Sequence, residues 1–250
     1  MRRWLAPALG VGLLVGAWAA PSASAQEDGE RVVLRAVDAI DSENVHLIVS
    51  YSGPDAADQT VSVNENRSPV DITVSGLDDV GLRNDIAFVF DTSATTDGNA
   101  LLDSAVDAVS SMIDDLPPNT RIAVVSAGGA SQLVQNLTTD RVRLQEALDD
   151  LQPNEEGAVL SGVVRAADVV DVEGSVPTVV LITDGVEDST TPIEVARGGL
   201  LDTGATMHVI GLQDGKLDEA AFGSLAADTG GRMLVATEAG GIEALVEELR

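Results

Sequence analysis

Apolar positions follow two different rhythms along the chain, and the change falls near residue 84. Before it, apolar and polar residues alternate. Val45, Leu47, Val49 and Tyr51 are interleaved with His46, Ile48 and Ser50, and Val70, Ile72 and Val74 with Asp71, Thr73 and Ser75. Val61 and Val63 make a shorter run of the same kind. A period of two is that of strands with one face buried. The polar stretch from Asn64 to Pro69 reads as the loop of a hairpin. About fifty residues of strand alone make a thin core. Residues 26–83 are therefore expected to be a small β-rich segment that packs on a larger domain or forms a sandwich-like module.

From Asp85 onward, short continuous apolar runs alternate with helical periods. Ile86–Phe90, Arg121–Val125, Thr178–Ile182, Met207–Leu212 and Met233–Ala236 read as strands, most of them buried on both faces. A short polar strand is expected at Gln132–Leu137. Leu102, Ala105, Val106, Val109, Met112, Ile113 and Leu116 recur at helical spacing, and Pro117-Pro118 ends that helix. Further helices are expected at Arg141–Leu151, Gly157–Val170, Pro192–Leu201, Asp218–Ala227 and Gly241–Arg250. Gly204 and Gly230-Gly231 follow helices, where left-handed caps are wanted. The alternation predicts an α/β fold, a doubly wound, mostly parallel sheet flanked by helices, over residues 84–250.

The first 25 residues stand outside this pattern. Arg2 and Arg3 precede an apolar run from Trp4 to Ala20, and Ala23-Ser24-Ala25 is a cleavage site before Gln26. This is the pattern of a secretory signal peptide, so the protein is expected to be secreted or held in the cell envelope. A membrane would be reached only through an uncleaved signal or a partner.

Composition narrows the chemistry. Of 250 residues, 44% are hydrophobic but only 2% aromatic, so Val, Leu, Ile and Ala must build the core. The absence of cysteine excludes disulfides, thiolate metal sites and thiol nucleophiles. The net charge of −27, with Lys216 as the single lysine, argues against nucleic acid and anionic membrane surfaces, which need Lys and Arg to neutralise phosphate.

The candidate chemistry lies at two strand ends. Asp91-Thr92-Ser93-Ala94-Thr95 follows the first buried run, and Asp184-Gly185 follows the run Val179–Thr183. A parallel sheet presents its ligand groups at this end. Two carboxylates and two hydroxyls form a hard-oxygen set suited to magnesium, manganese or calcium. Leaving a strand, Asp91, Ser93 and Thr95 turn toward one point while Thr92 and Ala94 turn away. Taken singly, Asp91 also reads as a capping carboxylate and Asp184-Gly185 as a plain turn. Glu187 and Asp188 follow closely enough to rim the site, but such residues are more often simply solvated, and they are left out of it.

Phe88–Thr95 resembles the first strand and D-x-S-x-S adhesion motif of the von Willebrand factor A family, with Thr95 in place of the last Ser. Leu181–Gly185 resembles that family's T-D-G segment. The resemblance covers residues 84–250. It implies a protein-binding module, not an enzyme. Asp91, Ser93, Thr95 and Asp184 would hold one Mg2+ (or Mn2+ or Ca2+), and a partner protein's Asp or Glu would complete the coordination. One departure weakens the set. The family's second loop supplies a Thr, and Ala158 stands in its place here, with Ser161 too deep to replace it. A metal-free interaction domain with a vestigial site therefore remains open beside the metal-dependent one.

The rival enzyme reading is magnesium-dependent phosphoryl transfer on Asp91. The haloacid dehalogenase pattern needs a second Asp as general acid, where this chain has Ser93. No glycine-rich phosphate loop, nucleophile elbow or H-E-x-x-H helix is present. His46 and His208 are isolated in strands and do not make a metal site.

Overall fold

The computed structural model describes residues 31–39, 45–52, 62–93, 98–154, 156–185, 187–212, 217–236 and 241. The expected signal peptide and, apart from Gly241, the last expected helix lie outside these residues.

Strands β1 (Arg31–Ala39) and β2 (Val45–Ser52) pair antiparallel, as do the short β3 (Val63–Glu65) and β4 (Ser68–Val70). The second pair departs from expectation. The hairpin falls inside the stretch read as a loop, because Asn66 and Arg67 both take positive φ and turn the chain in two residues. The alternation through Ile72 and Val74 gives no strand, and both side chains are exposed. Val45 and Val49 are exposed as well. A two-stranded ribbon cannot by itself bury the face that its alternation marks as apolar.

The main body is a six-stranded sheet in the order β10-β9-β8-β5-β6-β7. Its strands are β5 (Arg83–Phe90), β6 (Arg121–Ser126), β7 (Gln132–Thr138), β8 (Ser175–Thr183), β9 (Thr206–Leu212) and β10 (Met233–Ala236). All neighbours are parallel except β7, which runs antiparallel at one edge. The helices are α1 (Gly98–Asp115), α2 (Arg141–Asp149), α3 (Val159–Val170), α4 (Ile193–Thr203) and α5 (Glu219–Asp228).

The strands carry apolar residues on both faces because both faces are covered. Phe88, Phe90, Val124, Val180 and Ile182 pack with α1 and α2, through residues such as Val109 and Leu144. Ala87, Val89, Val125, Val179 and Leu181 pack on the other side with α3, α4 and α5, through Val163, Leu200 and Leu225. Burial of this kind is worth about 25 cal/mol per Å² of apolar surface. It outweighs any local preference, so the sheet, not the helix ends, sets the frame. At the bottom of the sheet, the fully buried Asp85 is held by the Arg121 guanidinium through two nitrogens, with Nε donating to Oδ1 at 2.8 Å. Gly204 caps α4 in the left-handed conformation, as its position predicts.

This order also places the functional end. From β5 the chain runs outward through β6 to β7, then returns to β8 beside β5 and continues to β9 and β10. The strand order therefore reverses between β5 and β8. In a doubly wound sheet, the crevice at the carboxyl ends of such a pair is where ligands bind.

Candidate metal centre

Asp91 and Asp184 each follow one of the two strands that flank this crevice. The β5–β8 register pairs Phe90 with Ile182 and so sets Asp91 beside Thr183. The Asp91 amide donates to the Ile182 carbonyl at 2.9 Å, carrying the pairing one step past the strand. The Thr183 hydroxyl donates to Asp91 Oδ2 at 2.6 Å and itself accepts from the Gly185 amide at 2.8 Å. The Ser93 amide donates to Asp91 Oδ1 at 3.0 Å. Both carboxylate oxygens of Asp91 are thus fixed.

Thr92 turns away from the crevice. Its hydroxyl meets Ser126 Oγ at 3.0 Å, and its carbonyl accepts from the Asn154 amide at 2.6 Å. Ser93 turns the other way. Its hydroxyl oxygen is buried and has no hydrogen-bond partner of good geometry, although it lies near enough to Asp91 to favour the charged carboxylate. A buried hydroxyl without a partner is costly unless something binds it. Thr95 lies outside the described residues.

Asp91 and Asp184 are 4% and 2% exposed, too little for water to hydrate two charges. Burial pushes the Asp91 carboxyl up from 3.8 to about 6, and the neighbouring charge of Asp184 adds to the rise. The hydrogen bonds from Thr183 and Ser93 oppose it without cancelling it. Among the described residues no third carboxylate or histidine joins the pair as a metal-binding group. An ion here would depend on hydroxyl and water oxygens to fill its shell. That donor set, two buried carboxylates at neighbouring strand ends and an orphaned buried hydroxyl near Asp91, fits a hard divalent cation.

Residues 86–187 match the family model of the von Willebrand factor type A domain. Over those residues the chain is similar in sequence to a von Willebrand factor type A domain. Solved structures share the fold. A von Willebrand factor type A protein from Catenulispora acidiphila is 19% identical with a TM-score of 0.61, over 67% of this chain and 42% of that one. Proximal thread matrix protein 1 from the mussel byssus, with zinc in its metal-ion-dependent adhesion motif, is 17% identical with a TM-score of 0.54, over 66% of this chain and 46% of that one. The domain of the type V pili tip protein Mfa5 from Porphyromonas gingivalis is 13% identical with a TM-score of 0.56, over 68% of this chain and 94% of that one. The chain thus spans less than half the length of the first two. No curated protein sequence matches it. Domains of this type are generally interaction modules.

In this domain, Ala158 caps the N-terminus of α3 without a side-chain hydrogen bond. The Ser161 hydroxyl, one turn further on, donates to the Ala158 carbonyl at 3.1 Å. The roles of three residues escaped the sequence. Thr183 proves to be the residue that holds Asp91, although only the motif context marked it. Glu187, expected to be solvated, is partly buried and accepts the Leu160 amide at 2.6 Å. Asp188 is exposed as expected, yet it accepts the Gly157 amide at 3.0 Å. Neither side chain carries a local signal of its contact, since the partner amides lie far away in sequence.

The raised Asp91 carboxyl has a consequence for stability. The folded chain holds this proton more tightly than the unfolded chain does. The resulting stabilisation is complete below about pH 4 and is lost as pH rises through about 6, in total roughly 3 kcal/mol. With EDTA present, the stability of Asp91→Asn relative to the parent is expected to grow by roughly that amount between pH 4 and pH 7. Urea unfolding of both proteins across this range measures it. Parallel pH profiles would show that Asp91 ionises normally in the fold.

Proposed function

We propose that this is an exported binding module that recognises a carboxylate on a partner protein through a divalent cation. Asp91, Ser93 and Thr95 would bind the ion directly, and Asp184 directly or through water. Mg2+ is the first candidate, with Mn2+ and Ca2+ as substitutes. The bound ion would supply a Lewis-acid contact for an Asp or Glu of the partner. The chain's own residues do the rest. The Thr183 hydroxyl and the Ser93 amide fix the Asp91 carboxylate.

The observation that carries this reading is the buried Ser93 hydroxyl without a hydrogen-bond partner of good geometry, beside the buried Asp91 and with the buried Asp184 following the neighbouring strand, at the switch point of the sheet. Export rests on the N-terminal pattern of basic pair, apolar run and Ala-Ser-Ala, and it accords with the pilus-tip setting of one structural neighbour. Among the described residues no helix is long and apolar enough to cross a membrane.

Ala158 supports a second reading, a metal-free interaction domain docking through the same face. Phosphoryl transfer on Asp91 is disfavoured, because that carboxylate is buried and both its oxygens already accept hydrogen bonds. Calorimetric titration of Mg2+, then Mn2+, into the purified chain tests the first reading. Saturable binding is expected at one site per chain, and an acidic partner should then bind only with the ion present. A flat titration on a folded protein leaves the metal-free reading.

A further inference from the structure

The loop after β8 does not end its work at Asp184. It folds back onto the start of α3. Glu187 Oε2 accepts the Leu160 amide at 2.6 Å, and its Oε1 accepts the Ser189 amide at 2.7 Å. Asp188 accepts the Gly157 amide through Oδ2 and donates its own amide to the Gly157 carbonyl, both at 3.0 Å. Ala158 and Glu187 form an isolated antiparallel bridge. The two loops are therefore sewn together over residues 157–160 and 187–189.

These contacts fall where the chain departs from its family. Ala158, the N-cap residue of α3, has no oxygen for the unpaired amides of the first helical turn. A side-chain oxygen at the cap ordinarily serves the second or third amide of a helix. Here the second amide, that of Leu160, is served by a carboxylate from another loop. A negative charge there is also favoured by the helix dipole.

We infer that Glu187 is a positioning residue. With Asp188 it latches the Asp184 loop to the N-terminus of α3, takes over the capping share of the hydroxyl that Ala158 lacks, and presets the crevice before any ion arrives. This inference rests on the metal-dependent reading. The latch adds no ligand. It fixes Asp184 from the downstream side, as Gly185, held by Thr183, fixes it from its own neighbouring position.

The latch requires a carboxylate, because two separate oxygens each receive an amide. Glu187→Gln keeps the shape but turns an NH2 group toward one of the two donors. Glu146→Gln, on the exposed face of α2, removes the same charge elsewhere and serves as the control. The measurements are amide hydrogen exchange by NMR in EDTA and calorimetric Mg2+ titration, both on the purified chain. In the parent, the Leu160 and Ser189 amides should be protected without metal. In Glu187→Gln they should exchange at least about tenfold faster, the loss expected for a charge-assisted hydrogen bond. The interior amides of β5 and β8 should keep their protection. Mg2+ binding should weaken about threefold to tenfold in Glu187→Gln and not in Glu146→Gln.

Unprotected Leu160 and Ser189 amides in the parent would overturn the latch whether or not the variant folds. Unchanged exchange in a folded Glu187→Gln would overturn it too. Faster exchange with unaltered Mg2+ affinity would overturn the positioning role. A parent that binds no Mg2+ would instead sink the metal reading, and the positioning role with it. A parent that binds beside a Glu187→Gln that binds equally well would sink this inference alone.

Discussion

Asp184→Ala is expected to remove saturable Mg2+ binding, weakening it by about 100-fold or more. Asp91 and Asp184 are the two carboxylates of the proposed ligand set, and with Asp184 gone a single carboxylate and neutral hydroxyls hold a hard divalent cation poorly. The position offered by Ala158 has no oxygen to make up the loss. The fold should survive. Asp184 lies past the end of β8, and its charge crowds Asp91, so its removal relieves repulsion in the absence of an ion. Two readouts separate the outcomes. Calorimetry should lose the Mg2+ isotherm, while urea unfolding in EDTA should show stability equal to the parent's or slightly higher. Mg2+ affinity within about threefold of the parent's would place the ion elsewhere and remove Asp184 from the site. The same logic gives a pH dependence. Below about pH 6, Asp91 must release its proton for an ion to bind, so affinity should fall there with proton release on binding.

Gly231→Ala should cost about 4 kcal/mol of stability, among the larger effects a single methyl can have. Gly231 passes against β9 so closely that a methyl group would overlap the Met207 carbonyl, with the His208 amide nitrogen only 3.3 Å away. These obstacles are backbone atoms, which no rotamer change can move. Relief would require β10 to lift from β9. That motion breaks the bond from the Val209 amide to the Arg232 carbonyl at 2.9 Å and the bond from the Gly231 amide to the Ala226 carbonyl at 2.8 Å. Denaturant unfolding in EDTA measures the effect away from any metal contribution. A loss below about 1 kcal/mol would show that this edge of the sheet yields easily.

The two substitutions divide the molecule along a physical line. Asp184 belongs to the chemistry of the crevice. Gly231 touches packing at the far edge and none of the chemistry.

The sequence by itself determined the main body. The continuous apolar runs of β5, β6, β8 and β9 announce strands buried on both faces, and the helical spacing from Leu102 to Leu116 announces α1, because burying such faces dominates the folding free energy. It also placed Asp91, Ser93 and Asp184 at strand ends, since loop residues that follow buried strands must emerge at one rim of the sheet. It erred where burial had to come from outside the segment. The alternation at Ile72 and Val74 names a face to be covered, but those residues form no strand and remain exposed.

Only the tertiary structure decided how the rim is wired. The Thr183–Asp91 hydrogen bond joins residues 92 positions apart and depends on the β5–β8 register. The pairing of Glu187 with Leu160 depends on how two loops meet. Neither leaves a periodic trace, because a hydrogen bond between loops involves a few atoms whose partners are chosen by the packed sheet beneath them. Hydrophobic burial is read from many residues at once and survives in the pattern of the chain. Polar contacts are set by angstrom-scale placement and exist only once the fold has formed.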